Sequence, residues 1–173
     1  METGESQIMC NAYTVRPKAS AKDLAKVVSD EIARLPSKLV RRTGRGVVVT
    51  RESGAVTALT MRWGFSRPFS DAINNARSDK FDSSMWKDAL AKRRCIVPVT
   101  SFFEWQEQPH GRKQAFEIRR ENWEWMWVAG IYEESEKHGL CYSTITTEPP
   151  DWMVSIHDRM LAIVGQEAAR AWL

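Results

Sequence analysis

The spacing of hydrophobic residues divides the N-terminal third of the chain into a helical stretch and a strand-forming stretch. Over residues 20–35 apolar side chains recur at helical spacing, with Ser20 as the expected N-cap and Pro36 as the stop. Residues 47–65 form two apolar runs around a turn near Gly54, which is typical of two antiparallel strands. The pattern therefore predicts one amphipathic helix followed by a β-hairpin.

The rest of the chain is dominated by short predicted strands. The predicted segments are strands at 10–15, 95–106, 114–120, 123–134 and 140–148, helices at 84–94 and 165–173, a short turn or helix at 151–156, and loops at 41–46 and 69–82. No repeat or long linker separates them. We therefore predict a single α+β domain at residues 10–173, with a curled, mostly antiparallel, barrel-like β-sheet and flanking helices. Residues 1–9 are interpreted as a leader or a mis-assigned start.

Composition narrows the class of protein. The 173 residues are 43% hydrophobic and 27% charged, as in an ordinary globular domain. No apolar run is long enough for a transmembrane helix. Three scattered cysteines do not make a disulfide framework, so we expect a reducing, cytoplasmic environment. The three histidines are far apart in sequence, and neither a metal nor a cofactor is expected. The formal net charge of +3 permits a nucleic-acid partner without requiring one.

Glu104 is the most unusual acidic residue, because it lies between Phe103 and Trp105 in an apolar run. A carboxyl group against aromatic walls is desolvated, which raises its pKa toward neutrality and suits it to acid–base catalysis. The alternative interpretation is that Glu104 is the solvent-facing residue of an alternating strand.

His157 and Cys10 are the other candidates for catalysis. His157 follows a Pro-Pro break, and its imidazole is the natural acid–base group near neutral pH. The alternative is a loop histidine held by hydrogen bonds. Cys10 is interpreted either as a nucleophile or as a small buried hydrophobic residue.

Polar residues at 74–77 and the eight tryptophans are candidates for nucleic-acid contacts. Asn75 and Arg77 offer amide and guanidinium donors suited to phosphate, although Asn74-Asn75 also fits a turn and Arg77 a surface ion pair. Tryptophan can stack on bases but is more often part of a core. The basic candidates for a DNA-binding surface, or else solvated surface charges, are Arg41, Arg42, Arg45, Arg77, Arg93 and Arg94.

These elements occur in an order that resembles the SRAP (SOS-response-associated peptidase) family. The motifs are a cysteine near the start, MRWGFSRP (61–68), NNARSDKF (74–81), CIVPVTSFFEW (95–105), IHDRM (156–160) and EAARAWL (167–173). The resemblance runs from Cys10 to Leu173. It implies one α+β domain with a central twisted β-sheet and a positively charged DNA groove. It also implies binding to single-stranded DNA and covalent linkage to abasic sites.

The resemblance further implies a role for each motif residue. Cys10, as the mature N-terminal residue, would attack an abasic aldehyde with its α-amine and close a thiazolidine ring with its thiolate. Asn75 would position the sugar and Cys10, while Glu104 would shuttle protons. His157 would act as acid–base on the opened sugar and in reversal of the link. The implied DNA contacts are Arg77 at a flanking phosphate, Trp63 at the bases, Asn74 and Arg159.

Several features depart from the family pattern. The usual Cys-Gly-Arg start is Cys10-Asn11-Ala12 here, so one DNA-contacting arginine is missing, and Asp79 and Leu161 replace a glutamate and a proline. Met9 also precedes Cys10, although the thiazolidine needs a free α-amine. Either Met9 is the true start, or the leader is cleaved at Met9–Cys10, or the chain binds DNA without a covalent link.

The leading hypothesis is therefore a monomeric protein that captures abasic sites in single-stranded DNA, with associated (auto)peptidase and abasic-site lyase activity and no membrane partner. A second hypothesis is a cysteine-type peptidase that removes its own leader. A third is a non-catalytic single-stranded DNA binder that forms no cross-link.

Overall fold

A closed ring of five strands forms the centre of the computed structural model, which describes residues 10–18 and 24–173. The elements are β1 (Ala12–Thr14), α1 (Leu24–Arg34), β2 (Leu39–Arg41), β3 (Arg45–Glu52), β4 (Ala55–Trp63), β5 (Phe65–Arg67), β6 (Ser70–Ile73), β7 (Asn75–Arg77), α2 (Ser84–Lys92), β8 (Arg94–Val99), β9 (Ser101–Glu107), β10 (Lys113–Arg119), β11 (Met126–Ser135), β12 (Gly139–Thr147), α3 (Asp151–Val154), β13 (Met160–Leu161), β14 (Ile163–Val164) and α4 (Gln166–Trp172).

The ring is a barrel in which β12, β4, β3, β8 and β11 pair in that order, and β11 pairs again with β12. The β12–β4 pairing is parallel, whereas the other pairings of the ring are antiparallel. The predicted α+β class, with a curled and mostly antiparallel barrel-like sheet, is therefore confirmed.

The burial of strand β3 explains the continuous apolar run in this part of the sequence. Residues 46–50 are buried without interruption. Helix α1 packs against β3 and β4 and buries Val28 and Ile32 in the same core. Because β3 is covered on both faces, its sequence is a continuous apolar run rather than an alternation of apolar and polar residues.

A second, four-stranded sheet carries the candidate chemistry. Its order is β10–β9–β1–β2, and every pairing in it is antiparallel. Tyr13 of β1 lies opposite Phe102 of β9, and both side chains are completely buried in the core. Because side chains alternate along a strand, Glu104 lies on the same inward face as Phe102. The alternative of a solvent-facing Glu104 is therefore wrong.

Some local predictions differ from the structure. The loop predicted over 69–82 is wrong, because β6 and β7 lie within it. These strands are short and polar, and β7 is stabilised by parallel pairing with the distant β12, which no local pattern reveals. The predicted N-cap Ser20 and the leader at residues 1–9 lie outside the described residues. None of the described helices is both long and apolar enough to cross a membrane.

Candidate active site

Cys10 lies in the interior of the protein, immediately before β1. Its side chain is completely buried, and its backbone N–H donates to Oε1 of Glu104 at 3.0 Å. Its thiol donates to the carbonyl oxygen of Ala12 at 3.4 Å. Burial, assisted by the nearby Glu104 carboxyl, raises the pKa of the Cys10 thiol well above its usual value. The thiol is therefore protonated at neutral pH.

Two adjacent asparagine amides hold the carbonyl oxygen of Cys10. Nδ2 of Asn74 and Nδ2 of Asn75 each donate to that oxygen at 3.0 Å. The parallel register of β7 and β12 places Asn75 opposite Thr144, whose hydroxyl donates to Asn75 Oδ1 at 2.7 Å. This second bond orients the Asn75 amide with its nitrogen toward Cys10. The backbone of Cys10 is thus fixed on its carboxyl side.

Glu104 is a buried carboxyl group with one satisfied oxygen and one unsatisfied oxygen. The residue is 1% exposed. Its Oε1 accepts the Cys10 N–H, whereas Oε2 has no hydrogen-bond partner among the described residues and lies 4.0 Å from Nε2 of His157. Burial raises the pKa of Glu104 to about 8, and the Cys10 N–H opposes that increase only partly. The predicted increase toward neutrality is confirmed, and Glu104 is mostly protonated at pH 7.

His157 faces Glu104 from the segment that follows α3. The imidazole is buried, and its Nδ1 accepts the backbone N–H of Arg159 at 3.0 Å. In the neutral ring this bond leaves the proton on Nε2, the nitrogen nearest to Glu104. Oδ1 of Asp158 lies 3.1 Å from Nδ1 of His157. This oxygen is close enough to accept a hydrogen bond from Nδ1 when the ring carries a second proton. The pair can therefore exchange protons with a reactant held between them.

The predicted role of Trp63 as a base-stacking residue is wrong. Its side chain is completely buried, with the ring of Tyr13 edge-on at 5.0 Å and that of Tyr142 stacked at 6.3 Å between centroids. No face of the indole is open to a base. Instead Nε1 donates to the backbone oxygen of Asn74 at 2.9 Å. Trp63 therefore supports the asparagine pair from within the core.

Asn74 and Asn11 form a further part of this support. Nδ2 of Asn74 donates both to Cys10 and to Oδ1 of Asn11 at 3.1 Å, so the amide of this predicted DNA contact is engaged within the protein. Asn11 is not among the site residues predicted from the sequence. Its position directly after the cysteine is the one signal that could have identified it.

Arg77 and Arg159 are the two remaining predicted DNA contacts. Arg77 forms a two-pronged contact with Asp79, through Nε at 3.1 Å and Nη2 at 2.9 Å, which agrees with the surface ion pair considered above. Arg159 is 4% exposed and donates to the backbone oxygen of Thr146 at 2.6 Å. It also lies 3.4 Å from Asp79. The guanidinium of Arg159 is therefore held within the fold, and its contact with DNA stays a prediction.

An open pocket of about 230 Å³ adjoins His157. Its volume is smaller than the roughly 300–1,000 Å³ typical of sites for drug-sized ligands, so the pocket admits only a small group. Its walls are Trp105, Gln106 and Glu107 from β9, Lys113 from β10, and residues 154–158. Within residues 10–18 and 24–173, no group of His, Cys, Asp or Glu side chains is arranged to hold a metal ion.

Comparisons with a family model and with known proteins identify the same family. The family model described as SOS response associated peptidase (SRAP) matches residues 9–173. Abasic site processing protein YoaM of Bacillus subtilis is 30% identical over 124 residues, covering 65% of this chain and 55% of that protein. Abasic site processing protein HMCES of Xenopus tropicalis is 32% identical over 147 residues, covering 65% and 44% respectively. The chain spans about half the length of the curated relatives it matches.

A solved structure shares the fold. The crystal structure of a Bacteroides thetaiotaomicron protein superimposes with a TM-score of 0.72 at 25% sequence identity. The alignment covers 95% of this chain and 81% of that chain. The barrel and the second sheet are thus the architecture of known proteins.

Proposed function

Because this chain belongs to the SOS response associated peptidase family, we propose that it binds single-stranded DNA and captures abasic sites covalently through Cys10. The observation that carries the proposal is the position of the Cys10 nitrogen, 3.0 Å from a buried carboxyl group that also faces His157. The names of the relatives, abasic site processing proteins, support abasic-site DNA as the partner.

The proposed chemistry begins at the Cys10 nitrogen. A ring-opened abasic site carries an aldehyde, whose carbon is attacked by the free α-amine of Cys10, and loss of one water gives an imine. The thiol then adds to the imine carbon and closes a five-membered thiazolidine, while the thiol proton passes to the ring nitrogen. The reaction releases one water and involves no oxidation or reduction. The second attack is intramolecular and therefore strongly favoured.

The protonation states support this order of events. The Cys10 thiol is neutral because burial raises its pKa, so the amine is the first nucleophile. Burial raises the pKa of Glu104, which suits its carboxyl to supply a proton to the hydroxyl that leaves as water and to accept one from the attacking amine. His157 transfers a proton to and from the sugar oxygen as the ring opens. Asn75 keeps the cysteine backbone in place throughout.

The covalent link requires that the peptide bond between Met9 and Cys10 be absent. The same site suggests a second activity, cleavage of that bond, because Glu104 contacts the nitrogen that would become the leaving amine. In this step the Cys10 thiol attacks the Met9 carbonyl carbon, the protonated carboxyl passes its proton to the departing nitrogen, and the thiol proton replaces it on the carboxyl. Water then hydrolyses the resulting thioester and releases the leader acid.

Intact-mass measurement during incubation with a single-stranded oligonucleotide carrying one abasic site tests both activities. We expect a species that begins at Cys10 and then gains the mass of the DNA minus one water. Cys10→Ser should form no such adduct. Cys141→Ser is the matched control, because a hydroxyl there can keep the present hydrogen bond to the Gly139 carbonyl, and it should still form the adduct.

The other outcomes distinguish the alternatives. A chain that begins at Cys10 and never gains DNA mass argues against covalent capture and favours the peptidase. A chain that binds the oligonucleotide with no mass change at all favours a non-covalent DNA binder. Adduct formation by Cys10→Ser would exclude the cysteine mechanism.

A further inference from the structure

We propose that Arg41 and Arg42, in the turn beside Cys10, bind the backbone phosphates of the strand that carries the abasic site. The inference rests on the proposed function, since it identifies the surface that would hold the DNA. Neither arginine side chain takes part in the contacts described above for the catalytic groups.

Several arginines are already engaged within the fold. Arg77 is held by Asp79, and Arg159 is enclosed and lies near the same carboxylate. Arg93 is paired with Asp88. These three guanidiniums offer little free charge to a ligand, so an anion near Cys10 must be held by other groups.

The turn that carries Arg42 is locked in place by backbone hydrogen bonds. Gly44 N–H donates to the Arg41 carbonyl at 2.7 Å and closes the turn, in which Thr43 has a left-handed φ of 69°. Thr43 N–H donates to the Trp63 carbonyl at 2.9 Å, and Trp63 N–H donates to the Gly44 carbonyl at 2.8 Å. The backbone of the turn is therefore ordered before any ligand arrives, which lowers the entropic cost of binding.

The turn is also tied to the residue that follows Cys10. The backbone N–H of Arg42 donates to the carbonyl of Asn11, the residue after Cys10, at 3.0 Å. Arg41 lies opposite Ala12 in the β1–β2 pairing, on the same face of the sheet. The backbones of the two arginines are thus placed within two residues of Cys10 by sheet pairing rather than by sequence.

The charges of this turn are available. Arg41 and Arg42 are both exposed, and neither forms an ion pair with any residue in the described part of the chain. A guanidinium binds phosphate oxygens through paired N–H groups. The anions nearest to an abasic aldehyde are the phosphates on either side of its sugar. A phosphodiester strand therefore fits this position better than an acidic protein surface does.

The test measures binding of the full chain to single-stranded DNA that carries a tetrahydrofuran abasic analogue, which has no aldehyde and cannot form a link. Fluorescence anisotropy over a salt series gives the slope of log K against log salt for the wild type and for Arg41→Gln/Arg42→Gln. Loss of two phosphate contacts should reduce the slope by about 1.4 and weaken binding roughly 25-fold at 0.1 M salt.

Arg51→Gln/Arg170→Gln is the matched control, because it removes two exposed arginines, one near the far end of β3 and one in α4, that form no ion pair within the described ranges. The control should change affinity less than about twofold. Thermal unfolding of both double variants checks that the fold is kept. If the turn variant retains the wild-type slope, or changes it no more than the control does, the inference is wrong. If the wild type itself does not bind the analogue, the proposed function fails instead.

Discussion

Two carboxyl–histidine pairs in this protein have opposite electrostatics. Glu104 faces His157 beside Cys10, and burial raises its pKa to about 8. Asp71 faces His138 at the end of the β11–β12 hairpin, and contact with that histidine, more than any other cause, holds the pKa of Asp71 well below its usual range. The residue types are nearly the same, so the surroundings set the difference.

The number of donors explains the contrast. The Asp71 side chain is half exposed and accepts from Ser66 at 2.7 Å, His138 at 2.9 Å and Lys137 at 3.3 Å. Each donor stabilises the charged form. Within residues 10–18 and 24–173, Glu104 has a single donor, the Cys10 N–H, and its second oxygen has none. Desolvation therefore dominates at Glu104.

The comparison separates a pair suited to catalysis from a pair that joins surface segments. A carboxyl with a pKa near neutrality can both give and take a proton, whereas one that is always charged cannot. Asp71 instead connects the β5–β6 hairpin to the β11–β12 turn. A contact between a histidine and a carboxyl group therefore indicates a function only when the burial of the two groups is known.

The largest expected effect is on the rate of adduct formation. Glu104→Gln keeps an oxygen for the Cys10 N–H but cannot transfer a proton, so we expect adduct formation with abasic DNA to slow by about 10²-fold or more. Denaturing gels on the species that begins at Cys10 measure this rate. Asp71→Asn is the matched control and should react at the wild-type rate. Equal rates for the two variants would remove Glu104 from the mechanism.

The second-largest expected effect is on how the free energy of unfolding varies with pH. Because the folded-state pKa of Glu104, about 8, exceeds its unfolded value of 4.5, the folded protein binds the extra proton between those values. The contribution of Glu104 is complete below pH 4.5 and is lost as the pH rises through 8. Wild-type unfolding free energy should fall across this window, relative to Glu104→Gln, by on the order of 5 kcal/mol.

Urea unfolding from pH 5 to pH 9 under reducing conditions measures the difference between the two proteins. The Glu104→Gln variant should gain relative stability steadily as the pH rises. A difference that does not vary with pH would mean that Glu104 titrates normally, and the contrast with Asp71 would then be lost.

The smallest effect is expected at Asp71, with the opposite sign. Its folded-state pKa is lowered, so its contribution is present above the unfolded value and is lost as the pH falls through the folded value. Asp71→Asn should lower Tm slightly at pH 7, and the difference should shrink on acidification. Asp30→Asn, which loses only an exposed helical pair with Lys26, is the control and should change Tm less.

Part of the fold was predictable because its signals are local. The β3–β4 hairpin and α2 follow from patterns within a few residues. The desolvation of Glu104 was also predictable, since Phe103 and Trp105 adjoin it in the sequence and the core lies on the face it shares with Phe102. Strand β7 was not predictable, because the strand with which it pairs, β12, is distant in the sequence.

The DNA contacts were the least predictable part of the site. Trp63 has the residue type of a base-stacking group, and Arg159 that of a phosphate contact, yet both are enclosed. Exposure depends on which distant segments pack against a side chain, and the sequence around each residue contains no record of that packing. Arg41 and Arg42 are among the basic candidates that the sequence offers, but only the β1–β2 register places them beside Cys10.

The sequence by itself determined the residue types of the reactive group, the α+β class and the family pattern, because these depend on chemistry and short-range periodicity. Only the tertiary structure decided that the Cys10 nitrogen meets Glu104 and that two asparagine amides meet the Cys10 carbonyl. It also decided which arginines remain free. Those outcomes depend on strand pairing between segments far apart in the chain and on the exclusion of water, and both arise only when the whole core closes.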